Sequence, residues 1–373
     1  MKIGIDASRA FIKKRTGTEE YSYQFIKNLT KIDISSHQIF LYVKSNSEID
    51  FDLPKNFIVK KICYNRLWTQ LGLSLEMKKN RIDVLFVPSH TIPIIHPRNT
   101  VVTIHGLEFK YYPENYSLKE RILLEFNTFI AVKWSSKIIV PSKSTKKDLI
   151  RFYKVDENKI SVIYHGTKIV NYESGIMNYG KKSFNILFIG RLEGRKNLIN
   201  LVKAFGLFVK SYKLPQIRTN ALQGKQATSY KLILVGKRGF GFAEIKKAIQ
   251  KSSHKDNIVL KGYISEEEKE ELYKKADLFV LPSLYEGFGL PILEAMSYGV
   301  PIICSDASSL PEIAGDAALL IDPDNIEEIA EAINKVFRDD DLKKKMIKTG
   351  FENVRRFSWE KCARETIKKV KSL

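Results

Sequence analysis

Short apolar runs alternate along this chain with longer stretches whose apolar positions recur every three or four residues. The runs suit strands buried on both faces, and the spaced positions suit helices with one apolar stripe. In the first half the pattern predicts strands near 2–6, 38–43, 57–62, 83–87, 100–104, 137–140 and 161–164, and helices near 19–31, 67–79, 118–134 and 145–153. In the second half strand 184–190 leads into helix 198–210, whose stripe is Leu198, Leu201, Val202, Phe205, Phe208 and Val209. Strand 231–236, helix 243–251, strand 257–263, helix 266–275 and strand 277–283 follow. This alternation predicts an α/β chain with parallel sheets covered on both faces. Two polar stretches interrupt it. Residues 172–183 read as an interdomain linker, and 218–230 as a lengthened surface loop.

The chain has 373 residues, enough for two domains with substantial cores. No apolar run approaches the roughly 18 residues of a membrane-spanning helix. The opening MKIGIDASRAF is charged too early for a secretory signal. Cys63, Cys304 and Cys362 are scattered, with no metal-ligand spacing. They predict reduced thiols and a cytoplasmic setting. Charge adds more: 62 Lys+Arg against 42 Asp+Glu leave a formal net charge of +20, spread over both halves with a tilt toward the first. Zinc-finger spacing and an RNA-binding Lys/Arg-Gly-Phe signature are both absent, so nucleic acid is not an expected partner. A solvated basic face and peripheral contact with an anionic membrane at the inner face both stay open.

The candidate chemistry centres on LPSLYEGFGLPILEAMSYGVPII, Leu281–Ile303. Glu286 falls in a loop and Glu294 about one turn into the helix that follows. Pro291 suits the first helical position, and Gly299 before Pro301 suits the stop. The N–H groups of Phe288, Gly289 and Leu290 would sit at the positive end of that helix, where phosphate or hydroxyl oxygens are held. Taken alone, the two glutamates are an ordinary loop acid and an ordinary helix-start acid. Ligands of open parallel sheets bind beyond the carboxyl ends of strands, and further polar residues cluster there. Gly190 closes strand 184–190 and Arg191 follows it. Arg191 and Lys196 can neutralise a diphosphate, one as a fork and one as a point charge. The plainer alternative is that Arg195 and Lys196 solvate a helix start, where cations are mildly unfavourable. Gly17 precedes a helix starting near Thr18 or Glu19, where a Rossmann unit brings backbone to phosphate; a simple helix-start turn is its alternative. His105 ends strand 101–106. Tyr263, in Gly262-Tyr263-Ile264, can flank a base or simply pack. Glu312 can face a ligand or cap a helix. Asp322-Pro-Asp324 and Asp339-Asp340-Asp341 precede helices, where Asp is a favoured cap, so no metal is expected.

The segment EGFGLPILEAMSYGVPII and the G-R-x-x-x-x-K-N spacing of Gly190, Arg191, Lys196 and Asn197 resemble those of retaining nucleotide-sugar glycosyltransferases of family four. RLWTQLGL, PSHTIP, IHGLEFKYYPENYS, IIVPSKSTKKDL and ISVIYHG resemble a mannosyltransferase-like subgroup that builds surface polysaccharides, and the resemblance covers nearly the whole chain. It implies the GT-B fold, two Rossmann-like domains facing across a cleft. These would be an acceptor-side domain at 1–171, a nucleotide-sugar-binding domain at 172–357 and a last helix at 358–373 crossing back, with Trp359 as its anchor. A plain C-terminal docking helix is the alternative for that segment. The resemblance further implies transfer of a hexose, mannose foremost, from GDP-mannose or a UDP-hexose to a glycan or lipid-linked acceptor. The configuration would be retained, with no metal and no cofactor besides the nucleotide sugar itself. Arg191 and Lys196 would hold the diphosphate after Gly190. Glu286, with Gly287 and the N–H groups of Phe288, Gly289 and Leu290, would hold the hexose. Glu294 would bind the ribose, Tyr263 the base, Gly17 a phosphate and His105 the donor sugar. No second carboxylate stands out as a nucleophile, which favours same-face displacement over a glycosyl-enzyme. The chain departs from the pattern twice: Thr18-Glu19 stands where many relatives carry a second glycine, and Gly106 where they carry Asp, with Glu108 as a substitute. The alternatives are a sugar-nucleotide epimerase of the same fold, separated by product analysis with and without acceptor, and a non-catalytic anionic-surface or nucleic-acid binder, separated by salt-dependent oligonucleotide binding.

Overall fold

The computed structural model describes residues 1–64, 67–170, 183–212 and 229–373. Nearly all of the linker read at 172–183, and most of the loop read at 218–230, lie outside the described residues. The chain forms two compact units. One comprises Met1–Lys110, Ser117–Gly166 and Phe357–Leu373; the other comprises Tyr111–Tyr116 and Thr167–Arg356.

The first unit carries seven strands: β1 (Lys2–Asp6), β2 (Gln38–Lys44), β3 (Phe57–Ile62), β4 (Val84–Val87), β5 (Thr100–Thr103), β6 (Lys137–Val140) and β7 (Ile160–Val162). They lie in the order β3-β2-β1-β4-β5-β6-β7, all parallel. Ile3 sits opposite Ile39 on one side and Val84 on the other, all three fully buried. Val84–Val87 is apolar and buried throughout because both faces of a parallel sheet are covered by helices. The closing helix Trp359–Lys371 packs on the helix Gly17–Leu29 and buries Cys362, Ala363, Ile367 and Val370 in this unit's core. The Trp359 ring lies 5.8 Å from His165 and 6.3 Å from Tyr21. The helix predicted at 67–79 is instead a π-helical turn, Trp68–Leu73, running into an α-helix, Ser74–Lys79. The Trp68 indole N–H reaches the Ile62 carbonyl at 3.3 Å from this wider turn.

The second unit has β8 (Ser183–Ile189), β9 (Ser229–Val235), β10 (Ile258–Lys261), β11 (Leu278–Leu281), β12 (Ile302–Ser305) and β13 (Ala318–Ile321). Their order is β10-β9-β8-β11-β12-β13, again parallel. The strand order reverses at β8, which has β9 on one side and β11 on the other. Loops leaving β8 and β11 therefore diverge around one crevice, the usual ligand position in such sheets. Helix starts follow local capping chemistry. Ser265 Oγ accepts the Glu268 N–H at 3.2 Å and Glu268 accepts the Ser265 N–H at 3.1 Å, a reciprocal cap. Asp339 caps the helix Asp340–Val354 by accepting the Leu342 N–H at 2.8 Å. The helix Ile326–Arg338 is capped by Asn325 rather than by the preceding aspartates, because Asp322 is engaged in a turn, accepting the Asp324 N–H at 2.9 Å. Among the described residues no helix is long and apolar enough to cross a membrane.

Candidate active site

The loop after β8 begins with a close backbone approach. A Cβ on Gly236, after β9, would lie 1.8 Å from the Gly190 carbonyl oxygen, and Gly236 has φ +150°. Only glycine fits there. Past Gly190 the chain makes a tight turn over Gly194–Lys196 that ends on Asn197 in the left-handed region, φ +58°. Such backbone costs about 1 kcal/mol or more for a residue with a side chain. It is held by the Asn197 amide, which donates to the Pro323 carbonyl at 2.6 Å. The turn directs Lys196 inward, and its ammonium pairs with Glu286 Oε1. Lys196 and Glu286 are both buried. Arg195 completes the cluster, donating to the Tyr285 carbonyl at 3.0 Å and lying 3.5 Å from Glu286 Oε2. Its Nε stands 2.7 Å from Glu193 Oε1. The reading of Arg195 and Lys196 as solvated helix-start cations therefore fails, since both turn into the unit and meet carboxylates.

Charge explains the protonation states. Burial alone pushes the Glu286 carboxyl up, but Lys196 and Arg195 outweigh it and hold the pKa below the ordinary value. Burial and the like charge of Arg195 lower the Lys196 pKa, with Glu286 opposing them. Arg191 behaves differently. Its side chain is 61% exposed, with Nε 3.3 Å from Glu193 Oε2. The arrangement thus presents an anchored acceptor, Glu286, beside buried Lys196 and half-buried Arg195, with exposed Arg191 on the same β8 loop.

The Glu286 loop is built by serines the sequence reading did not single out. Ser308 Oγ accepts the Glu286 N–H at 2.8 Å, and Ser308 holds φ +54°. Ser309 Oγ contacts the Glu286 and Phe288 carbonyls at 2.8 and 3.0 Å. Gly287 sits within this loop and Phe288 is buried at its end. Gly289 ends the loop at φ +102° and is the N-cap of the helix Leu290–Ser297, so Leu290 rather than Pro291 is the first helical residue. Glu294 lies on that helix, accepting from Lys269 at 3.1 Å and from the Tyr273 hydroxyl at 2.9 Å. Tyr263, just past β10, is 39% exposed with Lys237 Nζ 4.9 Å over its ring. Glu312 falls in the short helix Leu310–Ala314.

Two expected residues belong to the first unit. Gly17 opens its helix, and a Cβ there would meet nothing within 4 Å. The Thr16 N–H donates to Glu19 at 3.2 Å, and Glu19 and Glu20 fill the first turn. This end is therefore a self-capped helix start that carries its own carboxylates. His105 lies edge-on to Tyr21 at 4.9 Å and beside His165 at 5.4 Å. Its Nε2 donates to the Pro88 carbonyl at 3.0 Å. Burial pushes its pKa down to about 4, so the ring is neutral near pH 7 and Nδ1 is the acceptor nitrogen. Glu108, which starts a short helix, lies near enough to oppose that shift. Among the described residues, no three or more His, Cys, Asp or Glu gather as a metal site would.

Residues 15–169 match the family described as Glycosyltransferase Family 4, and residues 176–353 match Glycosyl transferases group 1. The chain is similar to O-antigen chain mannosyltransferase B of Escherichia coli, 30% identical over 286 residues, covering 73% of this chain and 70% of that one. It is also similar to O-antigen chain mannosyltransferase RfbU of Salmonella typhimurium, 27% identical over 71% of this chain and 70% of the relative. Among solved structures, sucrose-phosphate synthase from Thermosynechococcus elongatus superposes with a TM-score of 0.76 at 18% identity, covering 100% of this chain and 98% of that one. WaaG, a glycosyltransferase involved in lipopolysaccharide biosynthesis, superposes with a TM-score of 0.71 at 14% identity over 98% of each chain. At those identities the structural likeness speaks to fold.

Proposed function

The chain belongs to the family-four glycosyltransferases of GT-B fold, and on that premise we propose that it moves a hexose, mannose foremost, from a nucleotide diphosphate sugar to a glycan or lipid-linked glycan in surface-polysaccharide synthesis. The observation that carries this reading is the Arg195–Glu286–Lys196 cluster where loops from β8 and β11 meet at the strand-order reversal. Mannose is favoured because two curated relatives are named as mannosyltransferases.

In this proposal Arg191 and Lys196 take the diphosphate. Glu286, kept ionised by its cations, accepts hydroxyl protons of the hexose, with the amides of Phe288, Gly289 and Leu290 donating nearby. Glu294 accepts from the ribose, and Tyr263 lies against the base. The acceptor oxygen bonds to the anomeric carbon on the face from which the phosphate leaves. The carbon–phosphate oxygen bond breaks, and the acceptor proton passes to the departing phosphate. Configuration is retained. The growing negative charge meets fixed cations in a site that needs little reorganisation, so the reaction needs no metal.

Calorimetric titration with GDP-mannose and UDP-glucose tests this. Wild type should bind one of them. Arg191→Ala should bind it about ten- to a hundredfold more weakly, the scale of a charge-assisted contact. Unchanged binding by both Arg191→Ala and Glu286→Gln overturns the assignment.

A further inference from the structure

The first unit exposes an apolar surface that its own core does not use. The helix Leu118–Trp134 buries only Thr128 and Ala131 of its residues. Opposite them, Leu118, Ile122, Phe126 and Phe129 recur at intervals of four, four and three residues, and are 69%, 61%, 60% and 49% exposed. That spacing places them on one face. A second exposed row, Leu67, Leu71 and Leu75, runs along the π-helical turn and the helix after it. Contacts join the two rows. Gln70 donates to the Ile92 carbonyl at 3.1 Å, and the Ile95 N–H donates to Ser74 Oγ at 3.2 Å. The next residue, His96, stacks on Trp134 at 5.6 Å. Exposed Ile94 and Ile95 therefore bridge the rows.

Contiguous apolar surface on this scale marks an interaction site. Its charge points to the occupant. Lys78, Lys79, Arg98, Lys119, Arg121 and Lys133 are exposed on these same segments against the exposed acid Glu120, and Lys133 Nζ lies 5.7 Å over the Phe129 ring, on a chain of net charge +20. Apolar side chains interleaved with Lys and Arg suit an anionic bilayer surface, which takes the apolar groups below its headgroups and pairs the cations with its phosphates. A second copy of the chain would bring the same positive charges face to face. We propose that this face docks the enzyme on anionic lipid, resting on the observed surface and not on the donor-site assignments.

The test is flotation with vesicles of phosphatidylcholine, with and without phosphatidylglycerol. Wild type should float with the anionic vesicles, and less so as salt rises. Ile122→Gln/Phe126→Gln should partition about a hundredfold more weakly, since each apolar side chain withdrawn is worth about tenfold. Leu320→Gln, an exposed apolar residue of the second unit, should float like wild type. Both positions are exposed, and an unchanged melting temperature verifies folding. The proposal is overturned if wild type ignores anionic vesicles or if the double variant floats equally well. It is also overturned if sedimentation shows a dimer that the double variant abolishes while neither binds vesicles.

Discussion

Replacing Lys196 by Ala removes one member of the buried ion pair and leaves Glu286 with Arg195 at 3.5 Å. Breaking a buried pair by deleting one partner costs about 3–5 kcal/mol. Two features place this case near the lower end. Arg195 still screens the carboxylate, and the desolvation that lowers the Lys196 pKa disappears with the side chain. A loss of about 3 kcal/mol should lower the melting temperature of a unit this size by about 6–12 °C at pH 7. The pH dependence carries the signature. In wild type the Glu286 pKa is depressed, so its stabilisation is complete above the unfolded-state value and is lost as pH falls through the folded-state one. In the variant burial should dominate and raise that pKa. The folded state then binds the extra proton, and its penalty is relieved as pH falls. The gap between the two proteins should therefore be widest near neutrality and should narrow toward pH 4–5. Differential scanning calorimetry from pH 7 down to pH 4.5 measures it, and Lys196→Ala/Glu286→Gln should recover part of the loss. A gap of under about 2 °C at pH 7, or one that widens on acidification, refutes the buried pairing.

Further outcomes follow from other contacts. Glu286→Ala should lower turnover by about a hundredfold or more, as loss of a preorganised polar contact does; near-normal transfer would remove it from the mechanism. Transferase activity should survive EDTA, and activity lost to EDTA and restored by Mg²⁺ or Mn²⁺ would overturn the metal-free proposal. Gly289→Ala should cost about 1–3 kcal/mol by melting temperature, because φ is +102° and a Cβ would lie 2.7 Å from Leu310 Cδ2; no change would mean the loop relaxes freely. Trp359→Ala should cost about 2–3 kcal/mol, below the range for a fully buried aromatic, because the ring is only partly buried against Tyr21 and His165. The loss should appear in the first unit's hydrogen-exchange protection and leave the second unit's unchanged.

What the chain alone determined was local. Burial on both sheet faces makes the central strands continuous apolar runs, so β4 at Val84–Val87 and β11 at Leu278–Leu281 appear where the pattern places them. The helix Glu266–Lys275 is bounded by Ser265 and its reciprocal cap, chemistry that spans three residues. The motif residues Arg191, Lys196, Glu286 and Glu294 were legible as a group through their resemblance to a family. Their partners were not. Arg195 had no role beyond the plainer alternative of a solvated cation, because nothing nearby in sequence reveals the Glu286 carboxylate 91 residues away. Ser308 and Ser309 carry no signal of a role in sequence, because only folding sets them under the Glu286 backbone. The exposed row on Leu118–Trp134 is equally invisible in one dimension, since an apolar helical face reads the same whether a sheet covers it or not. Periodicity and capping act over a few residues, and sequence carries them directly. Pairing, burial and exposure depend on which distant segments meet, and only the tertiary structure decides that.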